Sequence, residues 1–161
     1  MMRILGIDPG TKVVGYAVIE IIQGKIVPQI YGAIRASGKE NIPERLKQIY
    51  QGITEIIQKY HPEVVAIEKV FCGKNIQSAI RIGEGRGVAF LASANAGLAV
   101  HEYDATRIKK SVSGIGSAQK YQVQSMVQAI LKLPVQPEPA DAADALAIAI
   151  CHYQHSCIPH F

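Results

Sequence analysis

Near the N-terminus, residues 3–10 read Arg-Ile-Leu-Gly-Ile-Asp-Pro-Gly. This short apolar run ends at a carboxylate and then at Pro-Gly, which is typical of a β-strand followed by a turn. Residues 13–22 are rich in β-branched side chains, and Gly24-Lys25 indicates a hairpin turn into a third strand over residues 26–34. Because strands joined by such short turns cannot pair parallel, the sequence predicts three antiparallel strands here.

Beyond residue 40, helical and strand patterns alternate. Apolar side chains at helical spacing predict a helix over about 43–60, which His61-Pro62 ends. The remaining elements are predicted as a strand over Val64–Glu68, a helix rich in small residues over 76–94, a strand over 98–103 and helices over about 119–131 and 141–155. This order predicts an α/β fold with a mixed five-stranded sheet and helices on both faces.

The composition fits one compact domain. The chain has 161 residues, of which 48% are hydrophobic and 19% charged, so a disordered chain is excluded. We expect a single domain over residues 1–155 and a tail over residues 156–161. The longest apolar stretch, residues 88–100, is too short and too interrupted for a membrane span. The apolar run at the N-terminus ends at Asp8-Pro9, too early for a signal peptide. The three cysteines are unevenly spaced, so we expect a cytoplasmic protein without disulfides.

Positive charge is concentrated in the middle of the chain. Residues 69–132 contain nine Lys and Arg side chains and three acids, whereas residues 133–161 contain three acids and no Lys or Arg. A basic segment of this kind favours an anionic polymer as partner, because neutralisation of phosphates drives such binding. A surface that only keeps the protein in solution is the alternative.

Four acids stand at positions where the predicted fold can gather them. Asp8 and Glu68 each close an apolar strand, at the edge where open α/β sheets place their ligands. Asp141 and Asp144 are three residues apart at the start of the last helix, so both lie on one helix face. Carboxylates gathered in a basic protein suit Mg²⁺ and phosphate chemistry, with two ions about 4 Å apart aligning a water and stabilising a leaving 3′ oxygen.

Each acid by itself also has a simpler explanation. Asp141 can be a helix cap, and Asp8 can belong to a tight turn with Pro9 and Gly10. Glu68 can pair with Lys69 or Arg86. Only the four together favour a catalytic cluster.

Four motifs in this chain resemble the RuvC family of crossover-junction endonucleases. They are the stretch from Met2 to Val18 that begins Met-Arg-Ile-Leu-Gly-Ile-Asp-Pro-Gly-Thr, Ala66-Ile-Glu-Lys-Val-Phe-Cys-Gly-Lys-Asn75, Gly114-Ile-Gly-Ser-Ala-Gln-Lys120 and Asp141-Ala-Ala-Asp-Ala-Leu-Ala-Ile-Ala-Ile150. They occur in the family's order and span nearly the whole chain. The resemblance implies a ribonuclease-H-like fold whose domain fills residues 1–155.

The resemblance also implies an activity and its partners. The activity is resolution of four-way (Holliday) DNA junctions by paired symmetric nicks, in homologous recombination and DNA repair. The catalytic, metal-binding acids would be Asp8, Glu68, Asp141 and Asp144, with two Mg²⁺ ions per site and Mn²⁺ able to substitute. The protein would be a homodimer whose protein partners are RuvA and RuvB, the branch-migration complex with its motor proteins.

Further residues are expected to contact DNA. At the position of Phe71 the family is thought to stack an aromatic ring on an unpaired base, whereas a loop Phe more often packs into the core. Lys74, Lys109 and Lys120 are expected to bind phosphates, with the last two on either side of the Gly114-Ile-Gly-Ser turn. A solvated loop is the ordinary alternative for that turn.

Two other functions fit parts of the sequence. Ile7-Asp8-Pro9-Gly10-Thr11 is similar to the first phosphate loop of actin-like and sugar-kinase-like phosphotransferases, although 161 residues leave no room for their second domain. A non-catalytic junction-binding module is the second alternative, and the presence of all four acids argues against it. A zinc site in the Cys- and His-containing tail (Cys151, His152, His155, Cys157 and His160) is disfavoured, because its spacing matches no common zinc pattern.

Overall fold

The computed structural model describes residues 1–70 and 73–157, which form five strands and five helices. The strands are β1 (Met2–Asp8), β2 (Val13–Ile22), β3 (Lys25–Arg35), β4 (Val64–Glu68) and β5 (Ala99–Tyr103). The helices are α1 (Ile42–Tyr60), α2 (Ile76–Asn95), α3 (Ala105–Ser113), α4 (Lys120–Leu131) and α5 (Ala140–Ser156). The helix α5 therefore extends one residue into the segment expected to be a tail.

The strands form one mixed sheet in the order β3-β2-β1-β4-β5. The pairs β1–β2 and β2–β3 are antiparallel, whereas β1–β4 and β4–β5 are parallel. The parallel pairs are the ones connected through helices, as the length of their crossovers requires. The predicted mixed five-stranded sheet is confirmed.

Two cores separate the helices into layers. On one face, Ile4 and Ile19 pack with buried side chains of α3, α4 and α5. On the other face, Leu5 and Val18 pack with side chains of α1 and α2. Alternate residues of one strand point to opposite faces of the sheet, so β1 contributes to both cores. Helices on both faces, as predicted, are confirmed.

The helix α3 was not predicted from the sequence. The side chain of Asp104 caps it by accepting a hydrogen bond from the main-chain N–H of Arg107 at 2.9 Å. Ile108 and Val112 are its only buried residues, one turn apart, and Gly114 ends it with φ +79°. One apolar pair in nine residues is too short a pattern to indicate a helix by periodicity. As a consequence Lys109, expected beside an irregular turn, lies on a helix.

Two glycines allow α5 to lie directly on the sheet. A Cβ atom on Gly6 of β1 would collide with the main-chain carbonyl of Ala145, and one on Gly15 of β2 would collide with that of Asp141. Close approach of backbone to backbone is a common reason for glycine inside a strand. The first turns of α5 are therefore held against the carboxyl end of β1. No helix in residues 1–70 or 73–157 is long and apolar enough to cross a membrane.

Candidate active site

The fold brings all four predicted acids to one edge of the sheet. Asp8 is the last residue of β1 and Glu68 the last residue of β4. These strands are parallel neighbours with Ile7 opposite Ile67, so the two carboxylates leave the sheet side by side. Asp141 and Asp144 join them from the start of α5, which rests on β1 and β2.

Two adjoining cavities open at this edge. The larger, of about 610 Å³, is lined by Asp8, Pro9, Glu68, Lys69, Val70, Ile82, Asp104, Ala105 and Thr106. The smaller, of about 280 Å³, is lined by Glu68, Ala105, Ile108, Lys109, Lys120, Val123, Asp144, Ala147 and Ile148. Because Glu68 lines both, it lies where the two cavities adjoin.

The acids destabilise one another's charged forms. Burial and, after it, the charges of Asp144, Glu68 and Asp141 together raise the pKa of Asp8 from 3.8 to about 7. Burial and the charge of Asp144 likewise raise the pKa of Glu68, whereas Lys109 and Lys120 oppose that shift. Crowded carboxylates repel one another, and a proton or a cation relieves that repulsion. Perturbed pKa values of this origin are typical of functional sites.

Lys120 supplies a positive charge from within the chain. Its Nζ lies 3.0 Å from Oδ2 of Asp144, and this hydrogen bond raises the pKa of Lys120. The helix α4 begins at Lys120, so the ammonium is held at the site by the first turn of that helix. The predicted DNA contact Lys120 therefore belongs to the cluster itself.

The chemistry of the site fits a hard divalent cation. Its donors are carboxylate oxygens, which Mg²⁺ prefers, and burial together with the neighbouring carboxylates raises the pKa of Asp8, so a cation there would relieve both effects. With Lys120 on Asp144, no three Asp, Glu, His or Cys side chains in the described ranges converge closely enough to hold a metal. Binding of a cation would therefore require the carboxylates to turn toward one another. The residues available to hold it are Asp8, Glu68, Asp141 and Asp144.

The other lysines that were predicted to contact DNA lie at different distances from the four acids. Lys109 lines the smaller cavity with Glu68 and Asp144. Lys74 is exposed just before the N-terminus of α2 and lines neither cavity. Phe71 lies outside the described residues, so its predicted role stays a prediction. In the Cys- and His-containing segment considered for zinc, His152 is buried and its Nδ1 is hydrogen bonded to Tyr103 Oη at 2.7 Å.

Arg86 and the start of α3 are parts of the site that sequence reasoning missed. Arg86 was considered only as a charge partner of Glu68, but its Nε lies 3.4 Å from the main-chain carbonyl of Glu68. Asp104 and Thr106 line the larger cavity. The Asp104 cap followed by Ile108, Val112 and Gly114 was the one signal that could have located α3.

The chain was compared with known proteins. The family model described as Crossover junction endodeoxyribonuclease RuvC matches residues 4–152. A protein of that name from Shewanella baltica is 54% identical over 159 residues, which cover 97% of this chain and 89% of the relative. Another, from Vibrio campbellii, is 56% identical over 153 residues, covering 94% and 87%.

Solved structures give the same result. Thermus thermophilus RuvC in complex with a Holliday junction substrate superposes with a TM-score of 0.91, at 32% identity, over 97% of this chain and 95% of that one. The yeast mitochondrial Holliday junction resolvase Ydc2, at 13% identity and a TM-score of 0.64 over 97% and 85% of the two chains, shows the fold alone. The fold is ribonuclease-H-like, and the chain belongs to the RuvC family of crossover junction endodeoxyribonucleases.

Proposed function

We propose that this chain is a Mg²⁺-dependent, structure-specific endonuclease that resolves four-way DNA junctions by paired symmetric nicks, in homologous recombination and DNA repair. The observation that carries the proposal is the convergence of Asp8, Glu68, Asp141 and Asp144 at one sheet edge beside Lys109 and Lys120. Membership of the family and the likeness to a relative solved with a Holliday junction substrate support it.

The residues of the chain have distinct tasks in this reaction. Asp8 and Glu68 would hold a cation at two neighbouring strand ends, and Asp141 and Asp144 would complete the site from α5. Bound Mg²⁺, two ions per site by our proposal and replaceable by Mn²⁺, would activate a water and stabilise the leaving 3′ oxygen. Lys120 compensates the charge of Asp144 before the cation and the phosphate arrive.

Other residues are proposed to hold the DNA. Lys109 faces the acids across the smaller cavity, where its ammonium can bind a phosphate next to the cleaved one. Lys74 would contact the backbone farther from the acids. Phe71, three residues after Glu68, is proposed to stack on an unpaired base at the junction, an interaction worth about 1–3 kcal/mol.

The two nicks of a symmetric junction require two sites related by a two-fold axis, so we propose a homodimer. The helix α2 offers a suitable surface, since Ile76, Ile80 and Leu91 are 70%, 57% and 54% exposed. A Cβ on Gly83 or Gly87 of the same helix would meet nothing within 4 Å, so a second backbone could approach there. RuvA and RuvB as partners, and a cytoplasmic location, stay predictions.

The proposal is tested with a synthetic four-way junction and Mg²⁺, beside a linear duplex of the same sequences. We expect paired nicks in the junction only, binding without nicking when Ca²⁺ replaces Mg²⁺, and loss of nicking but not of binding in Asp8→Asn. Light scattering should give the mass of a dimer at micromolar concentration. Junction binding without any Mg²⁺-dependent nicking would instead favour a non-catalytic binding module, and ATP turnover without nicking a phosphotransferase.

A further inference from the structure

Arg86 joins three elements next to the candidate site. It lies in the middle of α2, and its guanidinium donates from Nε to the main-chain carbonyl of Glu68 at the end of β4. Through Nη2 the same group forms an ion pair with Glu102 on the neighbouring strand β5. Its Cζ also lies 4.7 Å from the centre of the Phe90 ring, one turn along α2. The guanidinium is thus fixed on two sides while it contacts the strand end that carries Glu68.

The preceding residue connects this helix to the other strand end. A Cβ on Gly85 would collide with the main-chain carbonyl of Gly10, two residues after Asp8. The backbone of α2 is therefore in direct contact with the turn that follows Asp8. Consecutive residues of α2 contact the segments that carry both strand-end carboxylates.

Arg86 acts on Glu68 through the backbone. Its contact with Glu68 is a hydrogen bond to the main-chain carbonyl, whereas its ion pair is with Glu102. The side chain of Arg86 is 21% exposed, so water competes little for its hydrogen bonds. A donor held in this way restrains where the last residue of β4 lies.

We propose that Arg86 is a positioning residue, which Glu102 orients and which holds the main chain of Glu68 at the end of β4, from where the Glu68 carboxylate can turn toward Asp8 to share a divalent cation. The inference rests on the proposed function, because it concerns the cation of that same site. Without the guanidinium the end of β4 would lose its restraint toward α2, and Glu68 would take several positions. Metal affinity and cleavage should then fall, while junction binding and the fold remain.

The test compares Arg86→Met, Arg86→Lys and Glu102→Gln with the wild type. The matched control is Lys47→Met, which removes the cation of an exposed ion pair with Glu44 on α1. Mn²⁺ binding to the DNA-free protein is measured by electron paramagnetic resonance. In parallel we measure the Mg²⁺ concentration that gives half-maximal nicking, junction binding in Ca²⁺ and the melting temperature.

We expect Arg86→Met to weaken Mn²⁺ binding about 10-fold or more, the effect typical of groups that orient metal ligands. Its Mg²⁺ midpoint for nicking should rise in parallel. Arg86→Lys, which can keep only one of the two hydrogen bonds, and Glu102→Gln should show intermediate shifts. Junction binding in Ca²⁺ should remain within about twofold, and Lys47→Met should match the wild type in every measurement.

Unchanged Mn²⁺ binding in a folded Arg86→Met protein would overturn the inference. If Arg86→Met melts at a much lower temperature, Arg86→Lys and Glu102→Gln test the inference instead. Wild-type Mn²⁺ affinity in both of these variants would also overturn the inference. Failure of the wild type to nick junctions would refute the proposed function separately, since the Mn²⁺ comparison needs no DNA.

Discussion

At the scale of single residues, the surroundings of Asp8 disfavour the charged form of its carboxyl group. Its pKa rises from 3.8 to about 7, first through burial and then through the other acids. Between pH 4 and pH 7 the folded protein therefore binds more protons than the unfolded chain, and stability falls as the pH rises through that window. At pH 8 without divalent cations, we expect Asp8→Asn to be more stable than the wild type by roughly 1–4 kcal/mol in urea denaturation.

Two further measurements test whether the charge of Asp8 causes this difference in stability. At pH 4 the difference between Asp8→Asn and the wild type should shrink, because Asp8 is then protonated, and so uncharged, in the folded state. Adding Mg²⁺ at pH 8 should stabilise the wild type more than Asp8→Asn. A less stable Asp8→Asn protein at pH 8 would show that the Asp8 charge is already compensated in the fold.

Lys109 and Lys120 should differ in their effects on junction binding. In the free protein Lys120 is paired with Asp144, so a phosphate must compete with a carboxylate for it. Lys109 has no ion pair within residues 1–70 and 73–157. We expect Lys109→Ala to lower the slope of log affinity against log salt by about 0.9, and Lys120→Ala to lower it less. Equal slopes, measured by fluorescence anisotropy in Ca²⁺, would contradict this difference.

At the scale of elements, the position of α5 depends on glycine in the strand beneath it. In Gly15→Ala the new Cβ would collide with the main-chain carbonyl of Asp141, so α5 must move outward. We expect a loss of about 1–3 kcal/mol in stability, typical of overpacking. Nicking should fall about 100-fold, because Asp141 moves with the helix.

Gly38→Ala is the control for that experiment. Gly38 lies in an exposed turn before α1 without a positive φ, a Cβ there meets nothing within 4 Å, and alanine loses less chain entropy on folding than glycine. It should therefore leave the stability unchanged or raise it, in the same urea titration at the same protein concentration. Wild-type stability and nicking in Gly15→Ala would mean that α5 can adjust without moving its acids.

At the scale of the whole molecule, the contact between β5 and α5 should make the fold sensitive to acid. The buried ring of His152 lies against the rings of Tyr103 and His101. Burial, with smaller contributions from His101 and His155, lowers its pKa from 6.5 to about 4. Between those values the unfolded chain binds the extra proton, so stability is lost as the pH falls from about 6.5 to 4.

His152→Gln should remove most of this loss, which amounts to roughly 3 kcal/mol for the wild type. The difference between the two proteins isolates His152, because Asp8 titrates alike in both. His61→Asn, an exposed position at the end of α1, is the control and should keep the wild-type pH dependence. Identical pH dependence for His152→Gln and the wild type in thermal melts would contradict the assignment.

Much of the fold was predictable because most of its strands and helices have a sequence pattern that repeats over several consecutive residues. The β-branched runs of β1 to β4 and the apolar period of α1 repeat over enough residues to be recognised. The acids Asp8 and Glu68 could be placed because each is the last residue of its strand. The helix α3 was missed because a capped helix of nine residues carries one apolar pair. Arg86 was missed as a positioning residue because its partners are 18 and 16 residues away in sequence and meet only in the fold.

Local sequence determined which residues become strands and helices, and therefore that four acids would occur at element ends. It did so because alternation, helical period and turn residues act over a few positions. Only the tertiary structure decided that Lys120 lies on Asp144, that α5 rests on Gly6 and Gly15, and that Arg86 holds the end of β4. These contacts depend on the packing of distant segments in three dimensions, and no pattern along the chain records which segments meet.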